Sequence, residues 1–380
     1  MKKICLLFIL LFIPFIVHGE ELNLAENANS AIMIEASTGK VLYSKNPHEK
    51  LAPASMTKIM SLILIMENIE SGNIKWDDTV VTSEHASSMG GSQIFLKTGE
   101  VMKVEDLIKA ICVASANDAV VAMAEKIAGT EESFVKFMND KARELGAKNT
   151  NFKNSTGLDI EGHYSTAYDM AIMARELIRH QKILEFSSIY EDYLRKGTAN
   201  SFWLVNTNKL VRYYDYIDGL KTGFTDNAGY CLTATGKKNG MRLITVVMRE
   251  DNTSNRTKDT IAMMDYGFNM YSLNNIVSKD KVLGTIDVNL GVNETVDVIP
   301  IRDVNQVINK QEGEKKITYE MKLNDINAPV KNGEVVGKLE IYEDGKYLDM
   351  VDITIKNDVK KASIPLIFGR NLRDVLVGNL

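Results

Sequence analysis

Cysteine is scarce in this chain and acidic residues outnumber basic ones, and each feature excludes a class of protein. The 380 residues include three cysteines, of which Cys5 lies in an apolar N-terminal run. The other two, Cys112 and Cys231, are too few for a disulfide scaffold, and their apolar neighbours favour two buried thiols over a pair. The formal net charge is −5, whereas a nucleic-acid-binding protein would need a stripe of basic residues, so we expect no nucleic-acid partner.

Metal and phosphate motifs are missing from the sequence as well. The pairs His48-Glu49 and Glu84-His85 lack the i, i+4 spacing of a zinc helix and are interpreted as surface polar residues. No glycine-rich loop for phosphate is present. We therefore expect neither a metal nor a nucleotide cofactor.

The N-terminus has the pattern of an export signal. Lys2 and Lys3 precede an apolar run from Ile4 to Val17, and Gly19 is the small residue at which a signal peptidase would cut. The run is shorter than the roughly 20 apolar residues of a membrane-spanning helix. We expect residues 1–19 to be a signal peptide and the protein to be exported; a short uncleaved anchor is the alternative.

The rest of the chain predicts two domains, since its length exceeds the roughly 100 to 200 residues of one. Residues 20–274 mix strand and helix patterns. They predict hairpins at 37–39 and 237–240, a buried helix over 59–66, helical spacing over 101–128 and 131–145, and an amphipathic helix over 256–271. Strands at both ends with helices between them indicate an α+β domain, in which one antiparallel sheet carries a helical insertion.

Residues 275–359 change to short alternating strands separated by turns, which predicts a small all-β sandwich. No His, Cys or Trp lies beyond residue 275, so we expect a spacer rather than a catalytic domain. Residues 360–380 form a short helical pattern with apolar residues on one side and Arg370 and Arg373 largely on the other. This helix either lies at a membrane surface or docks on the β domain.

A first motif, Ser55-Met56-Thr57-Lys58, carries a candidate nucleophile and base. Pro53 marks a helix start, where backbone N–H groups and the helix dipole stabilise a developing oxyanion. Ser55 and Lys58 are three residues apart and share a helix face. Because the following helix is too apolar to lie at the surface, Lys58 should be desolvated, which lowers its pKa and suits a general base.

A second motif, Ser115-Ala116-Asn117, falls between two helical stretches. The hydroxyl of Ser115 can relay a proton to a leaving nitrogen, and the amide of Asn117 can hold a substrate carbonyl or amide. Taken alone, Asn117 is equally well explained as a helix cap. The two companion motifs favour the catalytic interpretation.

A third motif, Lys-Thr-Gly, occurs at 97–99 and again at 221–223. The first copy precedes a helix pattern, whereas the second precedes the hairpin that begins at Tyr230. On a strand edge, Lys221 and Thr222 can bind a carboxylate, and Gly223 lets a ligand approach closely. We therefore predict a substrate-binding role for the second copy and none for Lys97.

These three motifs in this order resemble the serine acyl-transfer sites of β-lactamases and penicillin-binding proteins. In particular, the chain is similar to D-alanyl-D-alanine carboxypeptidases of the penicillin-binding-protein-5 type and to their sporulation-associated branch in Gram-positive spore formers. The resemblance extends through the catalytic region and is carried by residues 51–60, 83–96, 162–171 and 219–225, with 328–333 the clearest part of the C-terminal segment.

The resemblance implies a β-lactamase/transpeptidase-like fold and a reaction. Ser55 would attack the D-Ala-D-Ala bond of a peptidoglycan pentapeptide, and β-lactams would acylate the same residue. Backbone N–H groups of Ser55 and Phe224 would form the oxyanion hole; some relatives have histidine at the position of Phe224. The enzyme would act at the outer face of the cytoplasmic membrane or in the cell wall, in vegetative or spore-cortex maturation.

Two rival functions remain to be weighed. A β-lactamase would share the three motifs, but no glutamate in an E-x-x-L-N arrangement lies between Asn117 and Lys221, so fast deacylation of penicillin is not expected. A non-catalytic muropeptide-binding module would have lost Ser55, Lys58 or Lys221, and all three are present.

Overall fold

The computed structural model describes residues 22–313 and 315–377, so the predicted signal peptide and Cys5 lie outside the described residues. Strands lie on both sides of a helical segment over residues 104–187. In chain order they are β1 (Ser30–Glu35), β2 (Val41–Lys45), β3 (Thr79–Val81), β4 (Val101–Lys103), β5 (Glu191–Leu194), β6 (Phe202–Val205), β7 (Ile217–Thr225), β8 (Gly229–Lys238), β9 (Met241–Glu250), β10 (Tyr271–Val277), β11 (Gly284–Asn289), β12 (Thr295–Pro300), β13 (Val304–Asn309), β14 (Ile317–Leu323), β15 (Ile326–Asn327), β16 (Val335–Glu343) and β17 (Lys346–Ile355).

Most helices lie between β2 and β10. In chain order they are α1 (Lys58–Glu70), α2 (Glu84–Ser87), α3 (Val104–Ala114), α4 (Asn117–Ala128), α5 (Glu131–Glu144), α6 (Ala167–Leu177), α7 (Lys182–Ser187), α8 (Leu210–Tyr213), α9 (Thr253–Met270) and α10 (Ile364–Val377).

The main sheet has the strand order β2-β1-β9-β8-β7, and all of its strand pairs are antiparallel. Both predicted hairpins are present, one joining β1 to β2 and the other β8 to β9. The helical segments are inserted between β2 and β7, which confirms the predicted α+β arrangement. This order leaves β7, the strand of the second Lys-Thr-Gly copy, at one edge of the sheet.

Both faces of the main sheet are covered. Along β9, Ile244, Val246 and Met248 belong to the core that α1, α3, α4 and α6 share, whereas Leu243 and Val247 belong to a second core under α9. The alternation follows from the two-residue period of a strand. Helix α1 is buried from Lys58 to Met66, as its apolar sequence predicts.

Two details differ from the sequence interpretation. Residues 101–103, expected to be helical, form β4 and pair with β3 before α3 begins. The β-branched Val101 fits a strand, and the helical spacing becomes reliable only beyond Lys103. Asn117 is the first residue of α4 rather than part of the preceding loop, which is limited to Ser115 and Ala116.

The C-terminal region is built from sheets, as expected. A six-stranded sheet has the order β14-β16-β17-β12-β11-β15, and β10 pairs with β13. Its core includes Val298, Ile341, Ile353 and Ile355, all fully buried. The predicted domain boundary at 274/275 falls within β10, which follows directly on α9. Cys112 and Cys231 are both buried and unpaired, which confirms the expected thiols.

Candidate active site

The first motif lies on a tight turn at the start of α1. Pro53 precedes a single 3-10 turn over Ala54–Thr57, which continues into α1 at Lys58. Lys58 Nζ donates to Ser55 Oγ at 2.8 Å. Ser55 is half-buried, whereas Lys58 is fully buried. The i, i+3 relation predicted from the sequence therefore becomes a direct contact.

Lys58 is fully enclosed by protein. Besides Ser55, its Nζ donates to the carbonyl oxygen of Thr156 at 2.7 Å. Burial lowers the pKa of Lys58 well below its usual value, the positive charge of Lys221 lowers it further, and Asp118 opposes the shift. The neutral amine that results has a lone pair with which it can accept the proton of Ser55.

The second motif presents polar atoms that have no protein partner. Ser115 ends α3 in the left-handed conformation, with φ of 61°, and Asn117 begins α4. Asn117 Nδ2 donates to the Gly90 carbonyl at 2.6 Å. Ser115 Oγ and Asn117 Oδ1 are buried and make no hydrogen bond within the described part of the chain. Leaving a buried polar atom unpaired costs about 1–3 kcal/mol. Such atoms are typical of a ligand-binding site, where the ligand supplies the hydrogen bonds.

The third motif borders the nucleophile turn along the edge strand β7. A Cβ atom on Gly223 would lie 2.7 Å from the Pro53 carbonyl oxygen and 3.3 Å from the Met56 nitrogen, so only glycine lets β7 approach this closely. Thr222 Oγ1 donates to Thr207 Oγ1 at 2.7 Å. The next residue, Phe224, is half exposed and its ring lies 4.3 Å from that of Tyr230.

Lys221 is a second buried lysine in the same site, with 1% of its surface exposed. Its Nζ donates to the Thr222 carbonyl at 3.1 Å. Burial lowers the pKa of Lys221 to about 7, and the positive charge of Arg256 lowers it further. An anionic ligand would supply the counter-charge that this ammonium lacks.

Lys97, in the other Lys-Thr-Gly copy, lies in an exposed turn before β4. Its backbone N–H donates to the Glu100 carboxylate at 3.0 Å. The structure thus separates the two copies by their burial, and only the second borders Ser55.

Sequence reasoning missed the loop that closes the site behind Lys58. Thr156 supplies the carbonyl that holds Lys58, and the adjacent Gly157 packs so tightly that a Cβ would lie 1.8 Å from the Ala54 carbonyl oxygen. Asn154 Oδ1 accepts from the Gly157 N–H at 2.7 Å and fixes this turn. An Asn two or three residues before a Gly is a turn signal, but it does not reveal which residue the turn contacts.

His163 also supports the nucleophile turn, a role that its sequence context did not suggest. Lys153 N–H donates to His163 Nδ1 at 3.1 Å, so the proton lies on Nε2, which is 2.8 Å from Thr57 Oγ1. Burial lowers the pKa of His163 to about 4, which keeps the ring neutral near pH 7. The neutral ring therefore holds Thr57, which precedes Lys58 in the turn, without adding charge to the site.

Comparison with known sequences gives two family matches. Residues 18–252 match the D-alanyl-D-alanine carboxypeptidase family, and residues 271–361 match the penicillin-binding protein 5 C-terminal domain. The D-alanyl-D-alanine carboxypeptidase DacF of Bacillus subtilis is 48% identical over 352 residues, which cover 92% of this chain and 90% of that protein. The carboxypeptidase DacA of Escherichia coli is 31% identical over 91% of this chain and 89% of its own length.

Solved structures give the same result. Penicillin binding protein 5 from Haemophilus influenzae superposes with a TM-score of 0.72 at 31% identity, covering 88% of this chain and 98% of that one. Penicillin-binding protein D2 from Listeria monocytogenes, in its ampicillin-bound form, has a TM-score of 0.58 at 32% identity, covering 64% of this chain and 98% of that one.

The environment of Lys221 generates the first prediction. Because its pKa lies at about 7, the amine should lose its proton as the pH rises through 7, whereas an exposed lysine does so near about 10.4. Lysine-selective NMR should show a side-chain resonance with a midpoint near 7 for Lys221, beside the separately shifted resonance of Lys58. The Lys221 resonance should vanish in Lys221→Arg and persist in Lys97→Arg. A Lys221 midpoint near 10 would contradict the environment described here.

Proposed function

We propose that Ser55, Lys58 and Ser115 carry out the reaction of this chain, which belongs to the D-alanyl-D-alanine carboxypeptidase family. The carrying observation is the 2.8 Å contact between the enclosed Lys58 amine and Ser55 Oγ. Lys58 takes the Ser55 proton while Oγ attacks the carbonyl carbon between the two D-alanines. The tetrahedral oxyanion is bound by the backbone N–H groups of Ser55 and Phe224.

The second half of the reaction uses the remaining groups. Ser115 relays the proton held by Lys58 to the leaving nitrogen, the C–N bond breaks, and terminal D-alanine departs while the rest of the peptide stays esterified to Ser55. Water then hydrolyses the ester and restores the Ser55 hydroxyl. The unpartnered Ser115 Oγ supports this role, since in the free protein it has no other hydrogen bond in the described chain.

Substrate binding is assigned to the residues around this centre. Lys221 and Thr222 hold the terminal carboxylate, Asn117 holds the peptide backbone, and Gly223 leaves room for it. A β-lactam offers a carboxylate beside a strained amide and fits the same arrangement. Penicillin-binding protein D2, to which the chain is similar, has been solved with ampicillin bound.

The cellular setting is the second part of the proposal. Peptidoglycan lies outside the cytoplasm, so residues 1–19 serve as the export signal and the enzyme acts on the cell wall. The resemblance to the sporulation-associated branch further suggests a contribution to spore-cortex maturation. The domain limits 20–274, 275–359 and 360–380 stand as part of this proposal.

Helix α10 supports an interfacial membrane anchor. Within residues 22–313 and 315–377, no helix combines the length and the apolar character needed to cross a membrane. Arg370 Nη1 donates to the Gly291 carbonyl at 2.7 Å and Arg370 Nε lies 3.0 Å from Glu294, so one side of α10 docks on the β domain. Phe368 and Leu376 remain 68% and 77% exposed.

The two alternatives of the sequence analysis are thus compatible. The polar side of α10 contacts the protein, and the apolar side is available for the headgroup region of a bilayer. Lys360 and Lys361, just before α10, would favour anionic lipid.

The nucleophile assignment predicts covalent labelling by penicillin at one residue. Mass spectrometry of a digested, penicillin-treated protein should find the adduct on Ser55. The substitution Ser55→Ala should abolish both the adduct and D-alanine release from a pentapeptide, because Ser55 carries the hydroxyl that contacts the Lys58 amine. Ser71→Ala, an exposed serine just beyond α1, should keep both. An adduct on another residue, or activity in Ser55→Ala, would overturn the assignment.

The carboxylate assignment predicts unequal effects for the two Lys-Thr-Gly copies. Lys221→Ala should lower kcat/KM for the pentapeptide by an amount equivalent to about 2–5 kcal/mol, as for other truncated buried charge pairs. Lys97→Ala should leave kcat/KM nearly unchanged. Equal losses at both positions in folded proteins would mean that Lys221 does not bind the substrate.

The anchor assignment predicts lipid binding through the exposed face of α10. Protein with residues 364–380 removed should fail to sediment with vesicles that contain phosphatidylglycerol, whereas the full-length protein should sediment with them. Paired Phe368→Glu and Leu376→Glu substitutions should have the same effect as the truncation. Tyr347→Glu, which adds a negative charge at an exposed aromatic residue of the β domain, should not. Equal binding by the full-length and truncated proteins would remove the anchor and leave docking alone.

A further inference from the structure

A cluster of metal-ligating side chains lies where the C-terminal ends of α1 and α6 meet. Glu67 is on the last turn of α1, Glu176 is on the last turn of α6, and His180 lies three residues beyond α6. One carboxylate oxygen from each glutamate and one ring nitrogen of His180 all lie within 4.8 Å of one another. It is the single group of this kind in the described part of the chain.

His180 is arranged as metal-bound histidines usually are. Its Nδ1 lies 2.8 Å from the Glu70 carboxylate, whose negative charge favours a proton on that nitrogen. The His180 side chain is only 8% exposed. Its Nε2 is buried and has no hydrogen-bond partner among the described residues. An unpaired buried nitrogen costs stability unless something binds it. A carboxylate that orients a histidine from behind is the common outer-shell arrangement at zinc sites.

The side chains around the cluster carry a net negative charge, which favours a bound cation. Lys141 lies 2.6 Å from one oxygen of Glu67, and Arg179 lies 3.0 Å from one oxygen of Glu176. Each of these contacts uses a single oxygen of its carboxylate. Three carboxylates, those of Glu67, Glu70 and Glu176, thus face two cationic side chains, so the cluster keeps an excess of negative charge.

We propose that Glu67, Glu176 and His180 bind a divalent transition-metal ion, for which Zn²⁺ is the best match. Zinc accepts one imidazole nitrogen and two carboxylate oxygens and completes its coordination with water. Mg²⁺ and Ca²⁺ are poorer matches, because they prefer oxygen ligands throughout. Glu70 is a positioning residue that fixes the orientation and tautomer of the ring.

The consequence of such a site is structural rather than catalytic. Glu67 lies nine residues beyond Lys58 on α1, roughly 14 Å along the helix axis, so the ion does not touch the reacting groups. It would join α1, whose first residue contacts the nucleophile, to α6. An ion that binds only the folded protein raises the melting temperature, because it stabilises that state by RT ln(1 + [ion]/Kd).

The test uses full-length protein first stripped of metal with a chelator. Calorimetric titration with Zn²⁺ should show one site per chain, thermal unfolding should move to higher temperature, and Co²⁺ should give visible absorption bands of a nitrogen-ligated site. Titration with Mg²⁺ should have little effect. The rate of D-alanine release should be the same with and without the ion.

Variants locate the site. Glu176→Gln and His180→Gln should abolish the Zn²⁺-dependent shift in melting temperature and the Co²⁺ absorption. Glu70→Ala should weaken Zn²⁺ binding roughly 10- to 100-fold. The matched control is His85→Gln. His85 also lies 2.8 Å from a carboxylate, that of Glu131, but its side chain is half exposed and lies outside this cluster. The His85→Gln protein should bind Zn²⁺ as the parent protein does.

Two results would overturn the proposal. One is the absence of a Zn²⁺-dependent shift in the parent protein, with no Co²⁺ bands. The other is equal Zn²⁺ binding by the parent protein and by the Glu176→Gln protein. Because Glu176 is half-buried and glutamine has the same shape, this variant should fold normally. If His180→Gln does not fold, Glu176→Gln and Glu70→Ala decide the question.

Discussion

The removal of the Lys58 amine from water is the constraint on which the site depends. A lysine in bulk water is protonated near neutral pH and cannot accept a proton from serine. Enclosure by α1, β7 and the loop at Thr156 penalises the ammonium form, and the Lys221 charge adds to the penalty. Burial and the neighbouring Lys221 charge thus favour a neutral amine, as the proposed base requires, and α1 is buried around its whole circumference from Lys58 to Met66.

The two buried lysines have different surroundings, which suits the different roles that we propose for them. Lys58 contacts a hydroxyl and a carbonyl, neither of which carries a negative charge. Lys221 lies at the sheet edge, where the terminal carboxylate of a bound peptide would supply a counter-charge and raise its pKa again. Each ammonium disfavours the other, so one neutral and one charged lysine is the low-energy combination when substrate is bound. Burial also raises the pKa of Cys112 to about 12, so the nearby thiol adds no charge.

Local patterns predicted much of this fold, and contacts distant in sequence account for what they missed. The hairpins at 37–39 and 237–240 and the buried helix α1 follow from turn residues and periodicity, which act over a few neighbours. The Thr156 carbonyl is 98 residues from Lys58, and His163 is 106 residues from Thr57. No sequence pattern predicts such pairs, and the role of a backbone carbonyl cannot be inferred from the type of its side chain. The short strand β4 was missed because three residues are too few to reveal a period.

The position of the nucleophile is fixed by backbone contacts on two sides. Ala54, immediately before Ser55, has a φ of 46°, a left-handed conformation that costs a non-glycine residue roughly 1–2 kcal/mol. Gly157 and Gly223 approach this turn so closely that a Cβ at either position would collide with its backbone. Such contacts leave the turn little freedom to relax, and they do not depend on side-chain rotamers. The strain at Ala54 is therefore held in place by the same two glycines that bring the Thr156 carbonyl to Lys58 and the strand of Lys221 to the turn of Ser55. The geometry of the proposed acyl transfer thus exists before a substrate binds.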